Sequence, residues 1–185
     1  AEWIWTGEPH KKNRFVRFKV EFDAPKGVAE AKFCIAAETK YYLYLNDALT
    51  VFDGGLHRES TPGNGYYDEV SLAVKPGRNT ILIDVWYWGN GGRNNTAFPC
   101  AGVLFESEEL GVYSGAHIEC GVLQAYFEPQ GEQPAYLYGG YNVGFDANKD
   151  KVDYQKAQVV AVYGEQPYGI PRKRPIPLFA FGKNV

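Results

Sequence analysis

Short apolar runs that alternate in period two, broken by glycine, proline, asparagine and aspartate, recur along this chain, and no longer window carries a helical period. That pattern commits the chain to sheets, because alternation sends successive side chains to opposite faces of a pleated strand. Residues 14–22, RFVRFKVEF, show it plainly: Phe18, Val20 and Phe22 are interleaved with Lys19 and Glu21. Further strands are predicted over 31–37, 41–45, 66–72, 80–88, 102–105, 117–119 and 122–127, each close to turn-forming residues. In Lys75-Pro76-Gly77-Arg78-Asn79 the proline presets φ for one corner and the glycine supplies positive φ for the next. A short turn of helix is expected only within 153–159.

With 185 residues, 45% of them hydrophobic, the chain has enough apolar surface for one core. Regularly spaced strands without helices predict an all-β fold, a two-sheet antiparallel sandwich or jelly roll, over residues 1–165. The remainder, 166–185, carries Pro171, Pro175 and Pro177 and reads as an extended strap or linker leading towards another domain. A monomer is expected.

The balance of 19 basic against 22 acidic residues gives a net charge of −3, without the basic footprint that nucleic acid requires. No run approaches the roughly 20 apolar residues of a membrane span. The chain opens on Ala1 and holds no Met, and so reads as the mature or internal part of a longer, secreted polypeptide. Cys34, Cys100 and Cys120 are odd in number and far apart. They fit either three small buried hydrophobes or one disulfide plus a free thiol. Neither they nor His10, His57 and His117 have zinc-ligand spacing.

Aromatic residues form 16% of the chain, and one strand end concentrates them. In 80–88, Ile81, Ile83, Val85 and Tyr87 share one face, whereas Leu82, Asp84, Trp86 and Trp88 share the other. A sugar presents an apolar C–H face and a fringe of hydroxyls, so its site needs an aromatic platform beside planar hydrogen-bonding groups. Trp86 and Trp88, followed by Asn90, Arg93 and Asn94 in a glycine-rich loop, offer both. The alternative is that the C-terminal segment covers this face and makes both tryptophans core. Tyr42 shares a face with Tyr44 and would extend the platform, with Tyr41, Leu43 and Leu45 turned inwards. His57, Arg58 and Tyr66, in or beside the loop 53–65, are further polar candidates.

No Ser-His-Asp order or phosphate-cradling glycine loop is present, and the acidic cluster Glu106-Ser107-Glu108-Glu109 reads as an exposed turn. A catalytic centre is not expected.

Three stretches, 36–47 (AAETKYYLYLND), 65–92 (GYYDEVSLAVKPGRNTILIDVWYWGNGG) and 166–177 (QPYGIPRKRPIP), together resemble the N-terminal non-catalytic β-sandwich of bacterial α-L-rhamnosidases. WIW at Trp3 to Trp5 and FDANKD at 145–150 fit the same resemblance. It implies a galactose-binding-like sandwich that binds polysaccharide or oligosaccharide beside the catalytic domain of the same polypeptide. A domain that only packs on that barrel is the alternative, and a small glycan-active enzyme a third. Related sandwiches often hold calcium, and Asp146, Asn148 and Asp150 place oxygen ligands at alternate positions. The same residues also read as a structural turn of the family.

Overall fold

The computed structural model describes residues 1–55, 65–91, 98–129 and 142–178. Among them lie fifteen strands and one 3-10 turn. The strands are β1 (Glu2–Trp5), β2 (Arg14–Ala24), β3 (Glu30–Glu38), β4 (Lys40–Leu45), β5 (Ala48–Gly55), β6 (Tyr66–Ala73), β7 (Gly77–Tyr87), β8 (Gly102–Ser107), β9 (Val112–Tyr113), β10 (Glu119–Val122), β11 (Tyr126–Phe127), β12 (Gly144–Phe145), β13 (Gln155–Lys156), β14 (Gln158–Val162) and β15 (Arg172–Lys173).

Two sheets face each other. The first runs β14-β1-β8-β3-β6-β15, with β9 added to β8; the second runs β13-β10-β2-β7-β4-β5. All pairings in them are antiparallel except that of β15 with β6. The all-β sandwich expected from the alternation is therefore the fold.

Alternation also places the core. On the second sheet, Val16, Phe18 and Val20, Ile81, Ile83, Val85 and Tyr87, and Tyr41, Leu43 and Leu45 all point inwards. They meet Ile4 and Trp5, Phe33 and Ile35, Leu72, Val103 and Phe105 from the first sheet. The turn before β7 follows its chemistry: Gly77 sits at φ +79°, and the Asn79 side chain donates to the carbonyls of Lys75 and Gly77 at 2.8 Å each. At the β4–β5 hairpin, Asn46 and Asp47 take the two positive-φ positions of a two-residue turn.

Several elements depart from the sequence reading. Residues 153–159 form no helical turn; they supply β13 and the start of β14 because the edges of both sheets take up their backbone groups. The 3-10 turn lies earlier, at Ala147–Lys149. β1 lacks alternation because it is covered on both faces, with Trp3 on the outer side and Ile4 and Trp5 in the core. The predicted strand at 117–119 begins only at Glu119, after a turn closed by the Ile118 amide on the Gly115 carbonyl. β5 extends to Gly55, and its pairing with β4 shifts register twice, on either side of Leu43.

The proline-rich segment lies against the first sheet. Tyr168 stacks on Trp3 with centroids 4.2 Å apart and donates to the Ala101 carbonyl at 2.6 Å. It forms a second buried cluster with Ala36, Phe98, Leu104 and Ala161.

Candidate functional site

The outward face of the second sheet gathers most of the half-buried rings. Register sets Phe15 of β2 beside Trp86 of β7, and Trp86 beside Lys40 of β4. Phe15 and Trp86 stack 4.8 Å apart, and Tyr126 stacks on Phe15 at 4.2 Å. Phe145 meets Tyr126 edge-on. The indole N–H of Trp86 donates to Asn13 Oδ1 at 3.0 Å, which fixes the ring and leaves it half-buried.

Trp88 lies deeper. It is 7% exposed, meets Trp86 edge-to-face at 5.4 Å and carries the Lys40 ammonium over its ring at 5.6 Å. Its indole N–H is buried and finds no acceptor among the described residues. The core alternative thus describes Trp88, whereas Trp86 keeps an accessible surface. The cover is not the expected one either: the C-terminal segment packs on Trp3 of the other sheet.

One step along the strands, Arg17 pairs with Asp84 through two parallel bonds of 2.6 and 2.7 Å. This fork geometry is the strongest form of a charge-assisted bond. The Asp84 hydrogen bond pushes the Arg17 guanidinium above its ordinary value. Burial raises Asp84 against the pull of Arg17. Tyr42 and Tyr44 flank the pair from β4, and Phe52 of β5 meets Tyr42 edge-on at 5.4 Å. Tyr42, Tyr44, Tyr126 and Tyr154 all have hydroxyls raised by partial burial, so they remain protonated, neutral donors. The face can therefore offer apolar rings and uncharged hydrogen-bonding groups together.

The other predicted residues distribute differently. Asn90 is half-buried near the same strand end and accepts from Lys12 at 2.9 Å. Tyr66 belongs to β6 of the first sheet, with the Arg174 guanidinium 5.7 Å from its ring, and so does not join Trp86 and Tyr42 on the second sheet. His57, Arg58, Arg93 and Asn94 lie outside the described residues.

Asp146 caps the 3-10 turn. Its Oδ1 accepts from the backbone and side-chain nitrogens of Asn148, both at 3.1 Å, and Lys149 lies 3.6 Å from Oδ2. The Asn148 bonds hold its carboxyl below the ordinary range. These partners give the turn a structural role, and Asp150 follows as its C-cap. No cluster of three or more His, Cys, Asp or Glu side chains suited to a metal occurs among the described residues. Cys34, Cys100 and Cys120 are free thiols, of which only Cys120 is fully buried.

Phe15, Arg17, Asp84, Tyr126 and Tyr154 were not singled out from sequence. A signal existed for two of them, since Arg17 and Asp84 occupy outward positions of alternating strands. Their pairing depends on cross-strand register, which a linear pattern does not encode.

No family model and no curated protein sequence matches the chain. Solved structures do. A family 78 rhamnosidase of Bacillus sp. GL1 superimposes with a TM-score of 0.82 at 25% identity, over 96% of this chain and 20% of that one. A lectin of Pleurotus ostreatus matches with a TM-score of 0.58 at 20% identity, over 95% and 45% of the two chains. An α-L-rhamnosidase of Streptomyces avermitilis gives 0.58 at 18%, over 94% and 16%. The latter two likenesses concern the fold alone. The chain spans a fifth or less of the rhamnosidases named here. The resemblance read from the sequence thus extends to three dimensions: this chain has the fold of a β-sandwich domain within the family 78 α-L-rhamnosidases.

Proposed function

We propose that this chain is a secreted carbohydrate-binding domain of a larger glycoside hydrolase of the α-L-rhamnosidase type, with no catalytic centre of its own. Residues 1–165 together with β15 form the binding sandwich, and the chain beyond β15 leads towards the catalytic part of the same polypeptide. The ligand is a plant cell-wall glycan or another rhamnose- or galactose-containing one. The observation that carries this reading is the outward face of the second sheet, where Trp86 presents a fixed, half-buried indole beside neutral tyrosine hydroxyls. A sugar ring stacks on such a surface through its C–H face while hydroxyls reach the polar fringe. The fold supports it: one neighbour of the same architecture is a lectin solved in complex with GalNAc.

Affinity electrophoresis and calorimetric titration with rhamnose- and galactose-containing oligosaccharides test the reading. Trp86→Ala is expected to weaken binding roughly tenfold, the effect of losing one aromatic contact, with the far-UV spectrum unchanged. If no glycan retards the protein at millimolar concentration, the binding role fails.

A second reading is a packing domain that binds no glycan. Its support is the outer side of the first sheet, where a groove of about 470 Å³ is lined by Cys34, Tyr67, Leu104, Tyr163 and Pro171. Tyr163 and Ile170 are exposed on that side. Slower proton exchange at these residues in the full-length enzyme than in the isolated domain would favour it.

A further inference from the structure

The second sheet is organised across its strands as well as along them. Register lines up Gly121 of β10, Arg17 of β2, Asp84 of β7 and Tyr42 of β4 in one row perpendicular to the strands. At the usual strand spacing the row spans roughly 14 Å. On one side of it lie Phe15, Trp86 and Lys40; on the other, Lys19, Leu82 and Tyr44.

Both ends of the row are raised. At the β10 end a side chain on Gly121 would run into Val152 and the Asp153 carbonyl, so the segment leading to Tyr154 rests directly on the sheet. Lys19 lies 5.9 Å from the Tyr154 ring there. At the β4 end, Phe52 stands against Tyr42. Between them the floor is the Arg17–Asp84 pair, whose guanidinium keeps N–H donors beyond the two given to Asp84.

Three cations of this face each have an acidic partner. Arg17 is matched by Asp84, Lys40 by Asp53 and Lys19 by Glu21. An anionic sugar would find no unmatched cation among these three. A single ring, moreover, would cover one aromatic platform and leave the others wet.

We infer that the glycan bound by the second sheet is a neutral chain of several sugars laid across the strands, with the Arg17–Asp84 pair as the polar centre of the trough. This rests on the carbohydrate-binding reading above and specifies its ligand. Trp86 then holds one sugar and Tyr154 another, with Arg17 donating to hydroxyls between them.

The test uses ladders of galacto-, xylo- and rhamno-oligosaccharides of one to six residues, with oligogalacturonides of matching length, titrated calorimetrically. Affinity for at least one neutral ladder is expected to rise about tenfold or more from the monosaccharide to the tetrasaccharide. Oligogalacturonides are expected to bind more weakly. Tyr154 is 41% exposed, so Tyr154→Ala preserves the fold. It is expected to weaken tetrasaccharide binding roughly tenfold, the size of one aromatic contact, and monosaccharide binding by less. Arg17→Lys, which keeps the charge but loses the fork, is expected to do the same.

If affinity is flat with length while Trp86→Ala still weakens binding, the domain binds glycan but the cross-strand trough is wrong. A preference for oligogalacturonides overturns the neutral ligand. If none of the ladders binds, both the trough and the binding role fall.

Discussion

Three cysteines share one oxidation state but not one environment. Cys120 has no exposed surface, and burial pushes its thiol up to about 11, whereas Cys34 and Cys100 are half-buried with smaller increases. The thiolate is the reactive form, so both access and ionisation protect Cys120. With an aromatic disulfide reagent at pH 8, Cys34 and Cys100 are expected to label in the native protein, and Cys120 only after denaturant is added. Mass spectrometry of the labelled peptides reads this directly. At this scale much was legible in sequence. The inward set Tyr41, Leu43 and Leu45 follows from alternation and is buried throughout. The burial of Trp88 was not legible, because it lies one residue past the end of β7, where strand periodicity stops governing side-chain direction.

Among the elements, β15 is tied to the sandwich by a buried ion pair. Asp68 of β6, whose side chain is 1% exposed, accepts from the Tyr41 hydroxyl at 3.0 Å and the Gly55 amide at 2.9 Å, and pairs with Arg174 just beyond β15. Arg174 also donates to the Gly55 carbonyl at 2.6 Å. Removing a partner from a buried ion pair leaves an uncompensated charge. Arg174→Ala is therefore expected to lower unfolding stability by about 3 kcal/mol in urea titrations. Arg174→Lys should fall between, since an ammonium restores the charge without the planar fork. The prolines around β15 announced an extended segment, but its parallel pairing with β6 joins residues about a hundred positions apart. No local signal carries such a contact. Non-local pairing likewise hid β13 and β14, whose strand character comes from the edges that receive them.

For the whole molecule, the segment that carries Tyr168 covers part of the outer side of the first sheet. A chain ending at Glu165 would lose the Trp3–Tyr168 stack and uncover Phe98 and Leu104. It is expected to bind an apolar dye such as anilinonaphthalene sulfonate, and to unfold at lower temperature than a chain ending at Leu178. The opposite sheet ends in β5, whose outer edge pairs with no other strand among the described residues. Its two register shifts and the positive φ of Asp53 bend this edge away from a straight ladder. A straight free edge is a template onto which a neighbouring copy can add its own strand, the first step towards fibrous aggregates. Here the irregular hairpin makes such growth a poor fit, so a molecule rich in β-structure can be crowded and stay dispersed.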